Sequence, residues 1–490
     1  MIVLTLIASI VILSVIFVKR SLSYWKRKKV PYVETSSIWG NVNNPLTRTK
    51  FLGEYYAEFY KKFKQDGARH MGFYNMLSPQ YLAIDLNVIR NVLEKDFDRF
   101  YERGFYYNEK DDPVSANVFV MGGERWKILR QKITPAFTRA KIKAMFEIIM
   151  QCAKDMDRVV EGFVTKGESV DVKDLTSRFT MDVIGSCAFG IECNSFDHTR
   201  AELFNEFRSI FCKRSSIAWM LYSFASNFPE LGRALKIKLV PPSSAEYFVN
   251  IARSAVAHRK TSGIRRNDAL QALLDLEDGL TLVELAAQCL VFFVAGFETS
   301  SSTLSFCLYE LSKRLDLQTK AREEVITVLS KYDGELTYDA VEEMTYIAQI
   351  VDETLRMYPP LASFTRVCTK DHEVLDTGVV IEKGTKIILS PLGMHHDEQY
   401  FSDPSRFDPE RFSVENKKKI KPFSYLPFGE GPRMCLGKRF GLLEVKIGLS
   451  VLLKNYTFVV NPKVVEPLEW DSFSITLTSK HPLWVDFKKN

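Results

Sequence analysis

Paired cysteines are missing from this chain. Its 8 Cys, at positions 152, 187, 193, 212, 289, 307, 368 and 435, include no CxxC pair and no zinc-type spacing. That excludes zinc modules and points to reduced, cytosol-facing thiols. No GxGxxG follows a strand pattern, and Gly429-Glu430-Gly431 fails it because Met434 stands at the third glycine position, so no nicotinamide or flavin domain is apparent. Internal repeats, low-complexity tracts and long Gly/Ser linkers are absent as well, and one large domain is expected over most of the 490 residues. Histidine is scarce, 7 in all. His395-His396, ahead of an acidic segment, reads as a loop pair, with a metal left open.

Charge of one sign is also lacking once it is located. The net charge is +6, and Lys19, Arg20, Lys26, Arg27, Lys28 and Lys29 carry all of it, so the rest of the chain is balanced. Nothing here is an electrostatic footprint for nucleic acid. What is abundant is apolar and aromatic: 46% hydrophobic residues and 35 Phe, enough for a large core and an apolar pocket.

Residues 1–18 are apolar except for Thr5, Ser9 and Ser14, and as a helix they span about 27 Å, close to a bilayer core. The charges follow the apolar run and no A-x-A site appears, so an uncleaved signal-anchor is expected instead of a secretory leader. The basic stretch in residues 19–31 then acts as stop-transfer and linker and stays cytoplasmic, with Tyr24 and Trp25 at the interface. On that topology the sequon Asn455-Tyr456-Thr457 goes unused.

The body reads as mainly α with minor β. Helical patterns run over Lys141 to Val164, Thr199 to Cys212, Ser244 to Lys260 and Thr281 to Leu315. The last is apolar on all sides at Leu290 to Ala295, as in a helix that passes through a core. Strand signals lie in Tyr74 to Leu86 around Ser78-Pro79, in Val379 to Leu389 around Glu382-Lys383-Gly384, and in Phe473 to Thr478 with Trp484 to Phe487. Ile217 to Phe228 is either a core helix or a second, monotopic membrane contact.

The sharpest local signal is Phe428-Gly429-Glu430-Gly431-Pro432-Arg433-Met434-Cys435-Leu436-Gly437, followed by a helical pattern. Amides and the dipole at a helix amino terminus stabilise a thiolate at Cys435. A buried structural cysteine is the plain alternative. Chance placement of Phe and two Gly at these offsets from any cysteine is roughly 0.001, which weakens it. With no second Cys or His nearby, a single axial bond to haem iron is the reading that one sulfur satisfies.

This FxxGxRxCxG pattern resembles the haem-binding loop of the cytochrome P450 superfamily. Ala295-Gly296-Phe297-Glu298-Thr299 resembles its oxygen-activation motif, Glu353-Thr354-Leu355-Arg356 its ExxR motif, Phe407-Asp408-Pro409-Glu410-Arg411-Phe412 its PERF segment, and Trp126-Lys127-Ile128-Leu129-Arg130 its WxxxR helix. Tyr107 to Pro113 and His395-His396-Asp397 resemble the microsomal, insect-type, xenobiotic-metabolising branch. The resemblance implies a single P450 fold, a helix-rich prism around buried haem, with residues 32–490 as the catalytic domain.

It further implies haem b as cofactor, Cys435 as iron ligand, Phe428 and Gly437 shaping the loop, and Ala295-Gly296 letting a flat ligand approach the backbone. Thr299 and Glu298 would relay protons; the duller reading of Thr299 is a bond back to a carbonyl one turn earlier. Trp126, Arg130, Arg366 and Arg433 would hold the propionates. Glu353, Arg356 and Arg411 would form a structural triad. Pocket lining is expected from Phe105 to Val120, the segment near Phe211, Phe293, Phe297, Leu361 to Phe364, and Phe473, so lipophilic substrates are implied.

Electrons would come from NADPH-cytochrome P450 reductase, docked on Lys127, Lys132, Arg139, Lys438 and Arg439, with cytochrome b5 as a second donor. The implied activity is NADPH- and O2-dependent oxidation at the endoplasmic reticulum membrane, with the catalytic domain in the cytosol. Alternatives are a haem-thiolate isomerase or dehydratase, and a non-enzymatic haem-binding protein. The chain departs from the microsomal pattern in its hinge, where only Pro31 precedes Tyr32-Val33-Glu34-Thr35.

Overall fold

A computed structural model describes all residues except 43, 198–214, 264, 267, 276–278 and 375–376. The expected helix Thr199 to Cys212, and with it Phe211, lies outside the described residues.

Among the described residues, helices dominate and strands are short. The longest helix, Leu282–Ser312, starts in a reciprocal cap: Thr281 Oγ1 accepts from the Glu284 amide at 3.2 Å and Glu284 accepts from the Thr281 amide at 3.0 Å. At 31 residues it runs through the core and is about 46 Å long. Its main partner is Val172–Ile184. There Thr180 donates to the Phe297 carbonyl at 3.0 Å and Thr176 to the Ser301 carbonyl at 3.1 Å.

A four-stranded sheet lies beside this helical body in the order β1 (His70–Asn75), β2 (Ser78–Ala83), β7 (Lys386–Leu389), β4 (Phe364–Val367). β2 and β7 run parallel and the other pairs antiparallel. β3 (Val170–Asp171), β9 (Trp484–Lys489) and β8 (Tyr456–Val460) form a second sheet, and β5 (His372–Val374) with β6 (Val379–Ile381) a hairpin.

Several expectations are corrected. The first hairpin turns at Met76-Leu77, with Met76 at φ 54°, and Pro79 stands inside β2. The pairing with β7 covers only Gln80 to Leu82, so the missing amide of Pro79 breaks no bond on that side. Val379 to Leu389 does turn at Glu382 to Thr385, but its two strands part into different sheets. Phe473 to Thr478 is no strand: Asp471 caps the Phe473 amide at 2.9 Å and the Leu477 amide bonds Pro360 at 2.8 Å. Lys141 to Val164 breaks at Met145 into Arg139–Ala144 and Phe146–Lys166. The helix Ser216–Asn227 buries only Trp219 and Ala225, so it lies on the surface instead of in the core.

The amino-terminal helix Ile2–Leu22 buries no residue and is long and apolar enough to cross a membrane. Trp25 is not at an interface. It is 1% exposed, its indole donates to the Phe73 carbonyl at 3.0 Å, and its amide donates to the Tyr74 hydroxyl at 3.1 Å. A Cβ on Gly72 would stand 2.3 Å from its ring, so that glycine makes room for the indole.

Candidate active site

Two left-handed glycines fold the cysteine loop, Gly429 at φ 69° and Gly431 at φ 74°. A Cβ on Gly431 would sit 2.1 Å from the Leu93 carbonyl oxygen. The Cys435 amide closes the loop on the Phe428 carbonyl at 2.9 Å, and Gly437 caps the helix Lys438–Asn455. Lys438 Nζ lies 5.5 Å from the Phe428 ring centroid. Cys435 is exposed, whereas Cys152, Cys187, Cys193, Cys289, Cys307 and Cys368 are buried. Burial nevertheless raises its pKa, opposed by the Gly437 amide and the charges of Arg103, Arg130 and Lys438. The Gly437 amide and the three cations favour the thiolate, as expected of a loop at a helix amino terminus, and burial works against them. A bound cation is what would deprotonate this sulfur outright.

The three residues of the triad that the resemblance implies come together, fully buried at their centre. Glu353 and Arg356 are each 0% exposed and joined by two bonds of 2.7 and 2.9 Å, with Arg411 Nε at 3.3 Å from Glu353. Arg356 also donates to the His395 carbonyl at 2.9 Å, and the Asp408 amide donates to Glu353 at 2.8 Å. Burial raises the Glu353 pKa against these partners.

His395 was not legible as part of this network and is no loop residue. Its Nδ1 lies 3.1 Å from the Arg356 carbonyl and its Nε2 accepts from the Leu426 amide at 2.9 Å. A carbonyl only accepts and an amide only donates, so the ring is neutral with its proton on Nδ1. Burial pushes its pKa down to about 3. It ties the triad to the chain entering the cysteine loop.

Four guanidinium groups meet on the other side of that loop. Arg433 donates to the carbonyls of Tyr101 (2.8 Å), Val118 (3.3 Å) and Met121 (2.6 Å) and stacks 3.7 Å over Trp126. Arg130 donates to the Met434 carbonyl at 2.9 Å. Arg103, which no motif flagged, donates to the Arg433 carbonyl at 2.8 Å and stacks 4.1 Å over Phe119. Arg366 is 3% exposed with its Nε unbonded.

Burial and mutual repulsion lower Arg433 to about 8 and Arg103 to about 9, and burial lowers Arg366 to about 10. No carboxylate among the described residues forms an ion pair with any of the four. Such a cluster of buried cations suits an anionic ligand, and haem carries two propionates. The residues fit that cofactor.

On the central helix, Ala295 is exposed although Phe292, Phe293 and Phe297 beside it are buried. Ala295 therefore faces an opening along this helix. A Cβ on Gly296 would meet Ile184 at 2.7 Å, so this glycine also gives room for helix packing. Thr299 Oγ1 bonds back to the Ala295 carbonyl at 2.6 Å, the duller of its two readings. Glu298 accepts from Thr476 at 3.2 Å.

Of the expected lining residues, Phe105 packs on Phe119 with ring centroids 5.2 Å apart, Val120, Leu361 and Phe364 are half-buried, and Phe473 lies beside Arg48. Phe293 and Phe297 are 1% and 3% exposed and form wall instead of open surface.

The family model described as Cytochrome P450 matches residues 34–484. Among relatives in Drosophila melanogaster, "Probable cytochrome P450 6a14" is 39% identical over 488 residues, covering 95% of each chain. "Cytochrome P450 6a8" is 38% identical over 484 residues, covering 96% of this chain and 95% of the relative. "Cytochrome P450 6a2" is 35% identical over 475 residues, covering 94% of each. The likeness runs from end to end of the catalytic body and includes the insect branch that the sequence resembles. The chain accordingly belongs to the cytochrome P450 family and is a haem-thiolate monooxygenase.

Proposed function

We propose that this monooxygenase oxidises lipophilic substrates, xenobiotic or endogenous, by hydroxylation, epoxidation or dealkylation. The observation that carries the site assignment is that cysteine loop and cation cluster form one unit, since Arg103 and Arg130 bond the carbonyls of Arg433 and Met434. Cys435 is the iron ligand and Arg103, Arg130, Arg366, Arg433 and Trp126 orient the cofactor, haem b, through its propionates. Bound haem supplies the activation of O2 with electrons from a partner.

The protein's own groups do the rest. Thr299 holds a hydroxyl proton beside Ala295, and its bond to that carbonyl keeps the hydroxyl within the opening. Glu298 sits one residue away as the carboxylate that resupplies protons. Phe293 and Phe297 keep water from the reaction zone. Glu353, Arg356, Arg411 and His395 hold the loop and touch no substrate.

Residues 1–18 anchor the chain in the endoplasmic reticulum membrane, 19–31 form the basic junction, and 32–490 the cytosolic catalytic domain. The surface helix Ser216–Asn227, with Ile217 64% exposed, makes a second contact with the bilayer. Reductase docks through Lys127, Lys132, Arg139, Lys438 and Arg439, with cytochrome b5 as an accessory donor. The test is NADPH consumption with a supplied reductase and a panel of apolar compounds: product formed in proportion to NADPH supports the reading. Turnover of a peroxide substrate without reductase would favour the isomerase or dehydratase alternative.

A further inference from the structure

Between Leu285 and Phe297 the central helix carries one strongly polar side chain, Gln288. Glutamine suits a helix well enough, but its amide must find partners where that helix runs through a core. Gln288 is 1% exposed. Its Nε2 donates to the Glu284 carbonyl one turn back at 3.4 Å, and its Oε1 accepts from the Val118 amide at 2.9 Å, 170 residues away in sequence.

Val118 belongs to the tight turn 117–121, whose next three amides are satisfied within the turn. Phe119 donates to Asn117 Oδ1 at 3.0 Å, and Val120 and Met121 donate to the Asn117 carbonyl at 3.2 and 3.0 Å. The carbonyls of the turn face the cation cluster: those of Val118 and Met121 accept from Arg433, and that of Phe119 accepts from Arg103 at 3.3 Å. The Val118 amide points the other way and ties the turn to the central helix.

The place of that tie follows from helix geometry. Ala295 stands seven positions after Gln288, about 10 Å along the axis and within about 20° of two full turns. Both therefore lie on one face of the helix, the face on which Ala295 is exposed. The turn fastened there carries Phe119 and Val120, both half-buried, and the Phe119 ring is backed by Phe105 at 5.2 Å and Arg103 at 4.1 Å.

We propose that Gln288 is a positioning residue for substrate choice: by holding the Val118 amide it fixes Phe119 and Val120 as a wall beside the opening at Ala295, and so sets how an apolar body packs there. Without the acceptor the amide is left buried and unpaired, and the turn relieves this by moving off the helix. The proposal rests on the reading that Phe105 to Val120 line the pocket.

The experiment uses full-length holoprotein in nanodiscs of phosphatidylcholine. Gln288→Met keeps the shape of the side chain and removes the acceptor, whereas Gln288→Glu, held protonated by burial, keeps a carbonyl oxygen in place. Two azoles that ligate haem iron through the same nitrogen, 1-methylimidazole and 1-phenylimidazole, are titrated by the red shift of the Soret band. Gln288→Met should lower the preference for the phenyl compound about tenfold while affinity for the methyl compound stays within about twofold. Gln288→Glu should retain the wild-type preference. Hydrogen exchange of the peptide containing residues 117–121 should be about tenfold or more faster in Gln288→Met and unchanged in Gln288→Glu.

An unchanged preference in Gln288→Met overturns the proposal, and so does an equal loss for both azoles, which would move the effect to the iron. Exchange that does not rise in Gln288→Met overturns the hold on the turn itself. If Gln288→Met does not fold, wild type still decides: a turn 117–121 that exchanges as fast as an unstructured peptide refutes the hold. A wild-type protein that gives no azole shift speaks against the haem reading, and the exchange comparison then decides on Gln288 alone.

Discussion

Replacing Glu444 by glutamine should make the protein more stable at neutral and alkaline pH. Glu444 lies on the helix that follows the cysteine loop, is 0% exposed, and neither carboxyl oxygen has a hydrogen-bond partner. Burial raises its pKa from 4.5 to about 8. The folded protein therefore holds a proton that the unfolded chain releases above pH 4.5. For a group raised on folding, stability is complete below the unfolded pKa and is lost as pH rises through the folded one. The loss is about 1.4 kcal/mol per pH unit in between, or about 4 kcal/mol from pH 5 to pH 8. Glutamine has the same shape and no proton to release, so this slope disappears. Denaturant unfolding of the full-length holoprotein at several pH values measures it, and infrared difference spectra of wild type minus Glu444→Gln should contain a protonated-carboxyl band at pH 7. The same slope in both proteins, or no such band, would refute a neutral Glu444.

Acid should act through the opposite kind of group. His395 is held neutral with a pKa of about 3, a depressed value, so its contribution is present above the unfolded value of about 6.5 and is lost as pH falls toward 3; haem release on acidification should begin below pH 6.5 and be less steep in His395→Gln. Glu353→Gln leaves Arg356 and Arg411 facing a neutral group in the core, a loss of about 3–5 kcal/mol, read as haem lost during purification or as a lowered thermal midpoint. Thr299→Ala should keep full haem content and a normal carbon monoxide spectrum while NADPH is consumed well in excess of product formed; tightly coupled turnover in that variant would remove Thr299 from proton handling.

What was legible in the sequence follows how locally each feature is determined. The cysteine loop and the contact between Glu353 and Arg356 are set by spacing within one turn or one helix turn, whereas the burial of that pair was implied only by the resemblance. The central helix follows from the uninterrupted pattern over Thr281 to Leu315, which folds as Leu282–Ser312. Arg103, His395 and Trp25 were not legible, because their roles come from partners far along the chain: Arg433, Leu426 and Phe73. Gly296 carried a motif position but not its reason, since Ile184 approaches it from another helix. Phe473 to Thr478 has a strand's composition and spends its backbone groups on Asp471 and Pro360 instead.

The most direct test of the whole account is the absorption spectrum of the purified, dithionite-reduced protein with and without carbon monoxide, in wild type and Cys435→Ser. The account predicts a strongly red-shifted, thiolate-type Soret band in wild type and its loss in Cys435→Ser. An imidazole-type band in wild type, or a thiolate-type band that survives Cys435→Ser, would contradict it.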